Sequence, residues 1–91
     1  MARAYVMDFE GGTLDQYDQV VEKMELGGKA APGSIYHWVA ETEDGIRVVD
    51  VWESGEAYDQ FAQEKIGPIT AEVGVAPPTV VEYEIHNTLE R

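Results

Sequence analysis

The sequence predicts an α+β fold of the ferredoxin-like type, a βαββαβ chain whose four strands form one antiparallel sheet with both helices on one face. Three observations predict it. Residues 4–9, 34–42, 46–53 and 79–87 alternate with the period of a strand, and the stretches between the first and second and between the third and fourth carry the 3.6-residue period of a helix. Asp44-Gly45 separates the second and third runs as a hairpin signal. Two right-handed crossovers with a hairpin between them then give a split βαβ sheet.

Each element has its own signals. In the first strand Tyr5, Met7 and Phe9 alternate with Ala4, Val6 and Asp8, a pattern suited to cover on both faces. Gly11 and Gly12 break it, and Thr13 with Gln16 has capping-box spacing. Leu14, Tyr17, Val21 and Met24 make the apolar stripe of the first helix, which Gly27 and Gly28 are expected to end. Ser54 caps the second helix, with Glu56 in its first turn and Ala57, Tyr58, Phe61, Ala62 and Ile66 on its apolar face. Gly67 and Pro68 are expected to stop that helix, a short helical turn follows over 69–73, and Pro77-Pro78 leads into the last strand.

Length and charge bound the rest. Ninety-one residues are one domain, 1–91, too small to bury a large core without help. Six basic against eighteen acidic residues leave a net charge of −12, and the basic residues are scattered, so nucleic acid and anionic membrane surfaces are excluded as partners. There is no cysteine, which removes disulfides, thiol nucleophiles and thiolate-ligated cofactors. Asp8 and Glu10 fall where a signal peptide needs its apolar run and no stretch is long enough for a membrane span, so the expected location is cytoplasmic. Apolar residues on both sides of the strands, Val49 and Val51 as well as Ile46 and Val48, ask for a second copy against the open sheet face, and a homodimer is predicted.

Several side chains could carry chemistry. Asp50 stands between Val49 and Val51 in a central strand, where a carboxylate is either held by donors as a structural pair or freed to act as a base. His37 lies among Ile35 and Val39, as a pocket base or a satisfied core residue would. His86 alternates with Glu82 and Glu84 and reads first as a solvated edge. The two histidines with Asp50 would make a facial metal set, but their strands are the opposite edges of a 4-1-3-2 sheet, on the order of 14 Å apart. No metal site is predicted. The aromatic residues read as core and interface packing; Trp52, Tyr58 and Phe61 could in addition line a flat cavity for a planar small molecule.

The βαββαβ order, Val51-Trp52-Glu53-Ser54 closing the third strand, Tyr58 and Phe61 in the following helix and the Gly74-Val75 turn together resemble the antibiotic biosynthesis monooxygenase-like group of the dimeric α/β barrel superfamily. Among them the chain looks most like small uncharacterised actinobacterial members, through His37, Asp50, Trp52 and the closing His86-Asn87. The resemblance implies a cavity between sheet and helices and a cofactor-independent oxygenase acting on an aromatic or polyketide-type molecule, with Asp50 and His37 as catalytic candidates and Trp52, Tyr58, Phe61, His86 and Asn87 as substrate-binding ones. Haem-degrading members share a strand-one asparagine, a strand-three tryptophan and a helix histidine that ligates iron. Here only Trp52 has a counterpart and Phe61 fills the helix position, so no cofactor is implied. The alternatives are a ligand-binding or accessory dimer without turnover, and an isomerase or cyclase using the same base.

Overall fold

A computed structural model describes residues 2–89. In chain order the elements are β1 (Arg3–Glu10), α1 (Leu14–Met24), β2 (Ser34–Glu41), β3 (Gly45–Trp52), α2 (Gly55–Phe61), a π-helical turn (Ala62–Ile66), α3 (Gly67–Val73) and β4 (Thr79–Glu84). All strand pairs are antiparallel in the order β2-β3-β1-β4, which is the expected ferredoxin-like arrangement. No helix among the described residues is long and apolar enough to cross a membrane.

The predicted caps form. Thr13 Oγ1 accepts from the Gln16 amide and Gln16 Oε1 accepts from the Thr13 amide, each at 3.1 Å, so two otherwise orphaned donors open α1 satisfied. Ser54 Oγ accepts from the Ala57 amide at 3.1 Å and opens α2.

Four local expectations are corrected. First, α1 ends at Glu25, which takes the left-handed conformation at φ 57°, ahead of the two glycines. Second, α1 buries Val20 and Met24 while Leu14, in its first turn, stays exposed. Third, Gly67 and Pro68 do not stop the second helical arm. The Gly67 amide reaches back five residues to the Ala62 carbonyl, and this π turn lets the chain start α3 with Pro68 in its first turn, where a missing N–H costs nothing. The arm runs on to Gly74 in the left-handed conformation. Fourth, β4 stops at Glu84, and the Ile85 amide turns to the Ala2 carbonyl at 3.2 Å.

The core lies between the sheet and the helices. Tyr5, Met7 and Phe9 of β1 stand beside Ile46, Val48 and Trp52 of β3, with Tyr58 of α2 packed on them. Gly33 sits against Trp52 at φ 88°, where an added Cβ would meet Ala57 at 3.0 Å, so this position needs glycine for both space and backbone angle. On the other face, Val81, Val6, Val49 and Trp38 form one cross-strand row and Tyr83, Ala4, Val51 and Tyr36 the next. Nothing among the described residues covers that face, and Tyr36 and Tyr83 are 62% and 56% exposed. Asp8 and Arg47 rim it with a two-pronged ion pair at 2.7 and 3.1 Å.

The Tyr5 ring stacks on Tyr58 at 3.7 Å between centroids, with its hydroxyl buried and without a hydrogen-bond partner of good geometry. Burial, and then the nearby Glu82 carboxylate, push its pKa up to about 12. A phenol raised in the folded state contributes stability that is complete below its unfolded pKa near 10 and is lost as pH rises toward 12. Tyr5→Phe should therefore leave stability at neutral pH unchanged or higher and flatten the alkaline fall in urea-unfolding midpoint. An alkaline limb identical in the variant would contradict this account.

Candidate functional site

Asp50 occupies the middle of β3 on the helix-facing side, 5% exposed, with Tyr5 opposite it on β1 and His37 opposite it on β2. The His37 pairing depends on an irregularity in the ladder. Ser34 pairs with Trp52, but Tyr36 pairs with Val51 and His37 with Asp50, so β2 carries one extra residue between Ser34 and Tyr36. Without that bulge His37 would stand opposite Val49 and turn to the far face of the sheet. The bulge is what brings the imidazole to the carboxylate.

Both oxygens of Asp50 are engaged. Oδ1 is bonded to His37 Nδ1, and Oδ2 accepts from the Trp52 indole N–H at 3.2 Å. On the other side of the imidazole, Nε2 meets the Tyr17 hydroxyl of α1 at 2.5 Å, with the two rings nearly parallel at 12°. The pattern fixes the roles. A carboxylate only accepts, so the neutral imidazole keeps its proton on Nδ1 and offers the Nε2 lone pair to the Tyr17 O–H. Burial, followed by the charges of Asp50 and Asp18, pushes the Tyr17 phenol up, so it holds its proton. Burial and then Asp50 act on Tyr58 in the same direction.

Three of these side chains, His37, Asp50 and Trp52, form part of one wall of a cavity of about 480 Å³ between the sheet and the helices, with Tyr17 behind it. His37, Asp50, Trp52 and Phe61 line it, together with apolar side chains such as Met7, Met24 and Ile66. Its size is that of a small-molecule site, roughly 300–1,000 Å³. Phe61 leans on Trp52 at 5.3 Å between ring centroids. A haem held from this helix finds no ligand in Phe61, which has no donor atom for iron.

The sequence-derived candidates are thus placed unequally. Asp50, His37, Trp52 and Phe61 converge. Tyr58 does not line the cavity: it stacks on Tyr5, meets Trp52 edge-on at 5.8 Å and gives its hydroxyl to Met7 Sδ at 3.5 Å, supporting the wall from behind. His86 and Asn87 lie past the end of β4, on the sheet edge opposite β2, exposed and outside the cavity. Both oxygens of Asp50 and the Nε2 of His37 have hydrogen-bond partners, Nε2 through the Tyr17 hydroxyl. Sequence reasoning missed Tyr17. Its one signal was a hydroxyl on the apolar stripe of α1, which any core tyrosine would share.

No protein-family model matches the sequence, and no curated protein matches it. Solved structures do. The chain is similar to a protein assigned as an antibiotic biosynthesis monooxygenase from Chloroflexus aurantiacus J-10-fl (TM-score 0.68, 18% identity, covering 99% of this chain and 98% of that one). It is equally similar to SnoaB, a cofactor-independent oxygenase from Streptomyces nogalater (TM-score 0.68, 18% identity, 99% and 98% covered). The third is the ActVA-Orf6 monooxygenase of Streptomyces coelicolor, solved with the ligand Nanaomycin D (TM-score 0.56, 20% identity, 99% and 91% covered). The chain therefore has the fold of the antibiotic biosynthesis monooxygenases over its whole length.

Trp52→Phe keeps a ring in the wall but leaves Asp50 Oδ2 buried without its donor. It should cost about 1–3 kcal/mol in urea unfolding. An unchanged unfolding midpoint would show that the indole N–H does not hold the carboxylate.

Proposed function

We propose that this protein is a cofactor-independent oxygenase for a planar aromatic small molecule, with His37 as its general base. The observation that carries the reading is the hydrogen-bonded chain Tyr17–His37–Asp50–Trp52, of which His37, Asp50 and Trp52 line a largely apolar cavity. The fold shared with an enzyme described as a cofactor-independent oxygenase supports it.

The chemistry follows from the groups present. A fused ring carrying an acidic CH2 flanked by aromatic rings lies between Trp52 and the apolar helix side chains. The Tyr17 hydroxyl gives way, and His37 Nε2 takes a proton from that carbon. Asp50 steadies the imidazolium through Nδ1–H, as an orienting carboxylate does for a histidine base. The carbanion gives one electron to dioxygen, and the radical and superoxide so formed join in a C–O bond. His37 returns its proton to the peroxide, and loss of water leaves a carbonyl. The carbon loses two hydrogens, and the two oxygen atoms end in the product and in water.

The second part of the proposal is the homodimer. The uncovered rows around Val6, Val49, Trp38 and Val81 form an apolar face larger than isolated surface residues would make, and a two-fold pairing of sheets would cover it.

Two measurements test these statements. Oxygen uptake by metal-free protein with a panel of anthrones and quinols, with product mass followed in parallel, should show gain of oxygen. His37→Ala should lower the rate about 100-fold or more, and Asp50→Asn should lower it as well. Turnover that survives His37→Ala overturns the base, and a changed product of constant mass would move the reading to an isomerase or cyclase. In sedimentation at micromolar concentration the mass should be twice 10.1 kDa, falling to one subunit in Trp38→Glu. A single-subunit mass for the unaltered protein would contradict the dimer.

A further inference from the structure

Beside the main cavity lies a second, partly open hollow of about 40 Å³, lined by Phe9, Tyr17, Val20, Ile46, Val48 and Val75 beneath α1. We propose that it is the subsite that holds dioxygen, an assignment that rests on the oxygenase reading above and adds to it where the second substrate waits.

Three features point to a small apolar occupant. The first is size: the space takes a diatomic molecule and excludes any organic substrate. The second is that the polar groups on its border are already turned to other partners. The Tyr17 hydroxyl is on His37 Nε2, Gln16 Oε1 is on the Thr13 amide, and the Thr70 hydroxyl gives its hydrogen to the Ile66 or Gly67 carbonyl, at 2.6 and 3.1 Å. Water in such a space needs two to four hydrogen-bond partners, and apolar hollows that lack them stay dry and take up apolar gases. The third is position. Phe9, Val20, Val48 and Thr70 wall both this hollow and the main cavity, so one layer of side chains separates the two, and Tyr17 joins the hollow to the base.

An enzyme that must deliver dioxygen to a carbanion gains from this arrangement. Oxygen is concentrated in an apolar place next to the reacting carbon, and the apolar surroundings keep protons from quenching the carbanion before electron transfer. The hollow supplies no bond-making step of its own: dioxygen leaves it to accept the electron and form the C–O bond already described.

Xenon is the probe. Methyl NMR of the full chain under xenon pressure should show saturable shifts at Val20, Ile46, Val48 and Val75. Val75 borders the hollow and not the main cavity, so Val75→Ile adds a methylene there alone. That variant should abolish the xenon shifts and raise KM for oxygen about tenfold, the scale of one methylene in a filled pocket, with KM for the aromatic substrate unchanged. Val75→Leu serves as a second filling variant if the first fails to fold. Silence of these methyls under xenon while oxygen uptake is intact overturns the subsite alone. So does an unchanged KM for oxygen in a folded variant that has lost xenon. Xenon shifts without any oxygen uptake by the unaltered protein overturn the oxygenase reading, and the assignment of dioxygen falls with it.

Discussion

A carboxylate in the middle of a central strand must be answered on both oxygens, because a desolvated charge without donors costs several kcal/mol. In this protein the answers come from two directions. Trp52, two residues on along the same strand face, gives its indole N–H, and His37, directly across the ladder, gives Nδ1. Much of the architecture around the cavity serves that meeting. The bulge in β2 sets the imidazole on the helix-facing side, Gly33 leaves room for the Trp52 ring, and the capping box starts α1 where Tyr17 can close the other end of the chain.

In the proposed reaction, satisfying Asp50 makes it the orienting partner and His37 the base. A carboxylate with both oxygens occupied is a poor proton acceptor and a good orienting partner. The imidazole it holds keeps a proton on Nδ1 and turns Nε2 to the Tyr17 hydroxyl. The same residues would serve structure alone if the space before them were filled with side chains. Instead about 480 Å³ is left open, walled by apolar and aromatic groups, in a domain of only 91 residues. So much unfilled volume in so small a core costs stability, since cavities forfeit contacts that packed side chains would make. In the proposed reading that space is kept for a substrate.

The architecture was largely legible in the sequence, and the site only partly. Strand alternation, the Thr13/Gln16 spacing and Asp44-Gly45 each encode local geometry through short-range chemistry, so the element order and sheet type could be read directly. Asp50, His37, Trp52 and Phe61 stood out because polar or large side chains at core-facing positions are informative. What could not be read depends on register and on contacts distant in sequence. The β2 bulge leaves no residue signature, yet it decides which face His37 takes. Tyr17 sits twenty residues from its partner. Gly67-Pro68 looked like a stop because the π turn that absorbs it is set by how the arm packs over the sheet. His86 and Asn87 were drawn in by resemblance alone, and the 4-1-3-2 order carries them to the far edge.

Likeness to solved oxygenases at 18–20% identity establishes the fold, and a fold of this kind hosts more than one activity. The functional reading therefore stands on the imidazole and its two partners. The most direct test is the nitrogen NMR of the His37 ring. The account predicts a protonated Nδ1 and a bare Nε2, with the pattern lost in Asp50→Asn. A proton on Nε2 in the unaltered protein, or free exchange between the two nitrogens, would contradict it.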